Sequence, residues 1–294
     1  PWSLESHLEF MREANISKSI LSITSPGTNL NASDVSACKR LTRECNEYAA
    51  DIKAKHPDKF GFWASLPLPD VQGSLEEIDY ALDVLGADGV VVLTNAQGIY
   101  LGDESISLIF EALAKKKAKV FIHPSEPCCR ANNTAQPATP LTQYPAPMME
   151  YFFDTTRAIV NLFLSGTVTK YPDVTYIVSH AGGALTPLVA RFSMFSTAIL
   201  SGDSRMSKED VIAKLNSQFY FDLAGFVFPE QIHGLLPYVG ASRITYGSDY
   251  PLTPKATALQ LAQSADVHIP KHFPDSNDQC LIWNGNAKNI SRND

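Results

Sequence analysis

Cysteine is scarce and unpatterned in this chain of 294 residues. The five cysteines, Cys38, Cys45, Cys128, Cys129 and Cys280, form no Cys-x-x-Cys pair, and their number is odd. A disulfide framework or a thiolate zinc module is therefore excluded as the organising device, and a chain this long buries enough core to need neither. Free thiols suit a reducing compartment, so a cytoplasmic location is expected. Basic residues are also short: 24 Lys and Arg stand against 31 Asp and Glu, for a net charge of −7. A nucleic-acid partner would require a basic face, and that class is set aside. No apolar run reaches the ~18 residues of a membrane span, so no membrane partner is expected. No strand-like run is followed by Gly-x-Gly-x-x-Gly, so no dinucleotide, or other organic cofactor, is expected.

What is present is an alternation. Short apolar runs at 18–24, 60–68, 87–95, 118–124, 174–183, 218–226 and 243–249 are each followed by a helix-like periodic segment, giving seven β-then-α units. Strands without polar alternation are the pattern of parallel sheets covered on both faces. Repeated units of this kind predict a (β/α)8 barrel of the TIM type, as a single domain over residues 1–294. No eighth strand can be placed after Asp249, and the chain opens on helical "SLESHLEFMREANI"; the first strand is therefore expected upstream of Pro1. The Pro/Asn/Thr-rich stretch from Ser125 to Pro147 is long for a βα connection, as functional loops often are.

Barrel enzymes carry their chemistry where strands end at the C-terminal face. Three runs end on residues suited to it: "KVFIHP" on His123, "TYIVSH" on His180 and "ITYGSD" on Asp249. Each alone is as well explained by a satisfied polar strand end. All three at equivalent points of successive units point to a site, and imidazole with carboxylate suits zinc or manganese. His7, His56, His233, His268 and His272 lack this context and are assigned surface or capping roles.

"VFIHP", "VSHAGG" and "YGSDYP" resemble the amidohydrolase superfamily, and within it the branch of amino-carboxymuconate-semialdehyde decarboxylase and the aromatic-acid decarboxylases. The surrounding wording is most similar to the fungal 6-methylsalicylate decarboxylases. The resemblance implies a metal-dependent carboxy-lyase that converts a small hydroxylated aromatic acid to a phenol and CO2. It makes His123 and Asp249 metal ligands, with zinc expected first and manganese second, and makes His180 and Asp249 the catalytic pair. Arg191 falls where the family carries an arginine that in some members crosses a dimer interface to the substrate carboxylate; a homodimer or higher homo-oligomer follows. A planar guanidinium suits that task, though a helix-surface ion pair explains Arg191 equally well.

The chain departs from the family pattern twice. The His-x-His or Glu-x-His pair of the family's first strand is not in the sequence and would lie in the expected upstream segment. Gly183 stands where some resorcylate-type decarboxylases have glutamate, so a His–Glu relay is excluded. Phe226 and Phe228, with Trp63 or Leu66, are candidate apolar walls of the pocket, although aromatics there are more often core. Asp222 in "FDLAG" reads as a structural hydrogen-bonding group behind the site, and Glu126 as a loop-surface residue. Two alternatives stay open: a metal-dependent hydrolase of a lactone or amide, using the same residues, and a catalytically inactive relative.

Overall fold

The computed structural model describes residues 2–131 and 134–291; the limits of the expected domain, Pro1 and Asp294, lie outside the described residues. In chain order the elements are α1 (Leu4–Glu13), β1 (Ser19–Leu21), α2 (Val35–Lys55), β2 (Phe60–Ser65), α3 (Val71–Asp79) and β3 (Gly89–Leu93). A small hairpin, β4 (Asn95–Ala96) with β5 (Ile99–Tyr100), precedes α4 (Ser107–Lys115) and β6 (Lys119–His123). The long stretch after Ser125 is only partly loop, since it folds into a second hairpin of β7 (Cys128–Ala131) and β8 (Thr134–Pro137). There follow α5 (Glu150–Leu164), α6 (Thr167–Lys170), β9 (Thr175–Val178), α7 (Val189–Ile199), α8 (Lys208–Gln218) and β10 (Phe219–Asp222). The chain then runs through α9 (Ile232–Leu235), β11 (Ile244–Thr245), α10 (Lys255–His272), α11 (Ser276–Cys280) and α12 (Asn286–Ile290).

Seven strands form one all-parallel sheet in the order β1-β2-β3-β6-β9-β10-β11, one for each apolar run of the sequence. β1 and β11 are its edges, and among the described residues no strand stands between them. The sheet curls as a barrel does, because one inner cluster takes side chains from nearly its whole width. Ile20, Trp63, Val91, Phe121, Ile177 and Tyr220 come from six different strands, and Ile290 of α12 joins them. Val90, Val120, Tyr176 and Phe219, each one residue away in its strand, belong to the outer core under the helices. Successive strand residues point to opposite faces, and burying a large apolar side chain on either face contributes about 1.5–3 kcal/mol.

The short edge leaves β2 with backbone groups that β1 cannot satisfy. Side chains supply them: Asp88 Oδ2 accepts from Phe62 N at 2.9 Å, and Asn46 Oδ1 accepts from Ser65 N at 2.8 Å while its Nδ2 donates to Ser65 O at 3.0 Å. Buried backbone polar groups need partners, and these two residues keep β2 straight up to its polar end at Ser65.

Two sequence expectations are corrected in this frame. The last apolar run is strand only over Ile244–Thr245, so Asp249 stands four residues beyond the strand it was expected to end. His7 is buried, 5% exposed, and not on the surface as expected; α1 turns His7, Phe10 and Met11 inward together. Trp2 Nε1 donates to His7 Nδ1 at 2.9 Å, and burial pushes the imidazole down to about 4, which keeps it neutral. His56 is the residue that closes α2, a capping position as expected.

Candidate active site

Strand parity brings the first functional side chain inward. Phe121 packs in the inner cluster and Val120 and Ile122 in the outer core, so His123 follows Phe121 to the inside at the strand's end. On β10 the same parity carries Asp222 inward after Tyr220. Three residues beyond the end of β1, Thr24 meets His123 across the mouth.

His123 is 6% exposed. Its Nδ1 lies 2.7 Å from the Pro124 carbonyl oxygen, which can only accept, so Nδ1 carries the proton and donates it there. Nε2 is then the free lone pair, 3.1 Å from the Thr24 hydroxyl. Burial pushes His123 down to about 4, opposed by its bond to Pro124 and by the charge of Asp249, while His180 lowers it further. A neutral imidazole with an inward lone pair is the form in which histidine binds a metal or accepts a proton.

His180 and Asp249 are placed by turns instead of strands. His180 has φ 54°, Ala181 φ 52° and Asp249 φ 56°, left-handed values that non-glycine residues adopt at a cost of order 1–3 kcal/mol when nothing compensates. Hydrogen bonds hold the His180 turn in place. Asp222 Oδ1 accepts from His180 N at 2.8 Å and from Ala224 N at 3.0 Å, and Gln231 Nε2 donates to His180 O at 2.7 Å. The ring donates from Nδ1 to Ala224 O at 3.1 Å and stacks on Phe152, with centroids 5.7 Å apart and planes at 26°. Asp249 is held in the same manner, its Oδ2 accepting from the Thr253 hydroxyl at 2.7 Å and its carbonyl from Thr253 N at 2.8 Å. Burial pushes the Asp222 carboxyl up; His180 and the two backbone donors pull it back, and Asp249 adds to the rise. Asp222 is thus the hydrogen-bonding group behind the site that its place in "FDLAG" suggested.

His123 and Asp222 accordingly each feel the charges of His180 and Asp249 at one end of the barrel. Their donor types suit a divalent cation, yet among the described residues no group of three or more His, Cys, Asp or Glu side chains is placed to hold a metal ion. Two ligands do not make a closed metal site.

A cavity of about 430 Å³ opens next to Leu93, the strand partner of His123, and Ser125, two residues after it. Ser25, Thr28, Ser65, Asn95, Ser125 and Tyr151 give it a neutral polar wall, Leu66 and Leu93 add apolar surface, and Glu126 is its charged residue. Among the described residues no Lys, Arg or His lines it. Of the expected wall residues, Leu66 lines the cavity, while Trp63 is spent in the inner core of the barrel. Phe226 is 74% exposed, turned outward after Gly225 at φ 78°, and is no part of the wall. Phe228 stacks on His268, with ring centroids 5.4 Å apart. Arg191 is exposed on α7 with its guanidinium 5.1 Å above the Phe195 ring, and among the described residues no hydrogen bond or ion pair ties it to His123, His180 or Asp249.

Sequence reading misses Thr24 and Phe152, which touch His123 and His180 across 99 and 28 positions of chain (180 − 152) and carry no motif. It also misses why position 183 is glycine. At φ 61° a Cβ there would stand 2.7 Å from Phe152 O and 3.1 Å from its Cα, so no side chain fits, glutamate included.

Comparison with known proteins identifies the family and the fold. A family profile described as amidohydrolase matches residues 1–290. A decarboxylase of Aspergillus niger (yanB) is 38% identical over 266 residues, covering 87% of this chain and 70% of its own. The 6-methylsalicylic acid decarboxylase of Aspergillus aculeatus (acuB) is 37% identical over 267 residues, covering 90% of this chain and 78% of its own. Among solved structures, 5-carboxyvanillate decarboxylase of Novosphingobium aromaticivorans, complexed with manganese and a nitrobenzoic acid, superposes with a TM-score of 0.84 at 22% identity, over 97% of this chain and 79% of that one.

Proposed function

The chain belongs to the amidohydrolase family, and from that premise we propose that it is a metal-dependent, non-oxidative decarboxylase of a small hydroxylated aromatic acid of the 6-methylsalicylate kind. The observation that carries the reading is that His123 lies within electrostatic reach of both His180 and Asp249, while its strand partner Leu93 and its near neighbour Ser125 line a cavity large enough for one substituted ring.

Loss of CO2 from an aromatic ring without prior protonation would leave an aryl carbanion, so the ring carbon that bears the carboxylate must take up a proton first. Asp249 is the proposed donor of that proton. The C–C bond then breaks, its electron pair restores the aromatic ring, and CO2 departs. His180 has its Nδ1 proton committed to Ala224 O, so Nε2 is the atom that takes a proton from solvent and passes it on to Asp249. Asp222 and Gln231 hold the turn that aims it. The cavity wall, which contains no cation, takes the uncharged part of the ring and leaves the carboxylate at the histidine end.

A divalent ion, zinc in this proposal with manganese as the alternative, would be held by His123 and Asp249 and would supply positive charge to the substrate carboxylate and an adjacent hydroxyl oxygen. The described residues alone do not complete its site, and the proton transfers from His180 and Asp249 do not run through it. Arg191 is proposed to bind the substrate carboxylate of a second copy: it shares α7 with exposed Met194, Phe195 and Ile199, an apolar face suited to a homodimer. The five free cysteines support a cytoplasmic location, and among the described residues no helix is long and apolar enough to cross a membrane.

Incubation of the protein with 6-methylsalicylate and divalent metal, following CO2 and cresol, tests the reading. Stoichiometric release of both is expected. Turnover of lactones or amides alone would replace it with hydrolysis. The incomplete donor set favours one further alternative, an inactive relative, and protein that retains no metal after loading and turns over neither class would establish it.

A further inference from the structure

α5 touches both sides of the barrel mouth within one helical turn. Phe152 stacks on His180, and its carbonyl oxygen accepts from Ala184 N at 3.3 Å, a close approach that Gly183 permits. Two residues on, Asp154 is completely buried. Its carboxylate accepts from the hydroxyls of Thr94 and Tyr100 and from Asn95 Nδ2 at 3.0 Å, with the half-exposed Arg157 guanidinium 3.5 Å away. Asn95 Nδ2 also donates to Ser125 Oγ at 3.1 Å and to Glu126 O at 3.0 Å, and the Thr94 and Ser125 hydroxyls are 2.8 Å apart. Ser125 follows His123 by two residues and, with Asn95, lines the cavity. A buried carboxylate is stable only when its oxygens are fully engaged; of the donors engaged here Asn95 lines the cavity itself, and Thr94 reaches its wall through Ser125.

We propose that Asp154 is a positioning residue that fixes the first turn of α5, and thereby sets both the stacking of Phe152 on His180 and the place of Ser125 and Asn95 in the cavity wall. The inference rests on the decarboxylase reading for its kinetic consequences only. Further along α5, Ala158, Ile159, Leu162 and Phe163 are fully buried in the core, so the helix stays docked when Asp154 is altered and only its first turn is released. An asparagine would be nearly isosteric, but its amide would turn a donor toward groups that already donate. Such non-additive polar networks are best apportioned by double-mutant cycles.

In the metal-loaded protein, Asp154→Asn is expected to lower kcat roughly 10-fold and raise KM about 3-fold, the scale of a small misplacement of reacting groups. Phe152→Leu should reproduce the fall in kcat while leaving KM near its starting value, and the double variant should lose no more kcat than the larger single loss. The ring-proton resonances of His180, assigned by their disappearance in His180→Asn, should move in the same direction in Asp154→Asn and Phe152→Leu, since both alter the ring stacked on them. An Asp154→Asn protein with a lower Tm but unmoved His180 resonances and kcat would overturn the proposal. If that variant does not fold, Tyr100→Phe removes one donor only and should give a smaller shift of the same sign; no shift there overturns it equally. If no aromatic acid is turned over by the wild type, the decarboxylase reading fails, and the His180 resonances still decide the positioning role.

Discussion

The two sides of the barrel mouth are built differently. On the side of β1, β2, β3 and β6, the wall arises from strand parity and hydrogen bonding: Thr24 faces His123, Ser65 is pinned by Asn46, Asn95 is pinned by Asp154, and Ser125 by Asn95 and Thr94. On the side of β9, β10 and β11, Asp222 ends β10, while His180 and Asp249 stand beyond the strands on left-handed turns, at φ 54° and φ 56°. Among the described non-glycine residues of the first side, only Gln97, in the tight β4–β5 turn, has such a backbone next to the cavity. Strained backbone concentrates where a side chain must be aimed and not merely packed. The first side is shaped to receive a ring, the second to move a proton.

The sharpest way to break this contrast is Asp249→Asn. The amide still accepts from Thr253, and asparagine tolerates a positive φ, so the turn survives while the proton donor is lost. kcat is expected to fall by about 10³-fold, within the range for removal of a general acid, with KM little changed and circular dichroism unaltered. An equal effect on KM would place Asp249 on the binding side.

The comparison is cleanest above pH 6.5, because His7 sets an acid limit on the fold. Its imidazole is lowered from 6.5 to about 4 by burial, so between those values the unfolded chain binds a proton that the folded chain refuses. Stability from this group is complete above pH 6.5 and drains away as the pH falls toward 4. The loss amounts to about 3 kcal/mol at 1.36 kcal/mol per pH unit. Urea titrations at pH 7 and pH 4.5 should show this drop, and His7→Gln should remove its share while leaving the share of His123, which burial also lowers to about 4; an unchanged slope in the variant would mean that His7 contributes nothing.

The smallest expected effect belongs to the cavity. Ser65 has its backbone held by Asn46 and its side chain on the wall, so Ser65→Ala removes a hydroxyl without loosening β2. A single neutral hydrogen bond contributes about 0.5–1.5 kcal/mol, so KM should rise roughly 2- to 10-fold with kcat preserved. A fall in kcat of the same size would merge the two sides.

What is legible in the sequence divides along the same line. The seven strands and the inward His123 can be read directly, because an apolar run and a period of two determine them locally. Left-handed turns have no such period, and the run ending in "YGSD" reads as strand throughout, although only Ile244–Thr245 pairs. The Asp154 network joins residues 54 to 60 positions apart, and nothing in "FDTTRA" distinguishes its aspartate from a surface one. Phe226 misleads for the opposite reason: its neighbours "FDLAG" are core, and a single glycine at φ 78° reverses the direction of the chain beyond it.

Gly183 narrows the routes by which this chain could acquire a different site. With Phe152 O 2.7 Å from where a Cβ would stand, no acidic group can enter at this position by a single codon change. Helix α5 would first have to withdraw, taking Phe152 off His180 and dragging Asp154 away from Thr94, Asn95 and Tyr100. An imidazole backed by a phenyl ring and an imidazole paired with a carboxylate at this position are therefore separated by a movement of backbone, and intermediates between them would have neither arrangement intact.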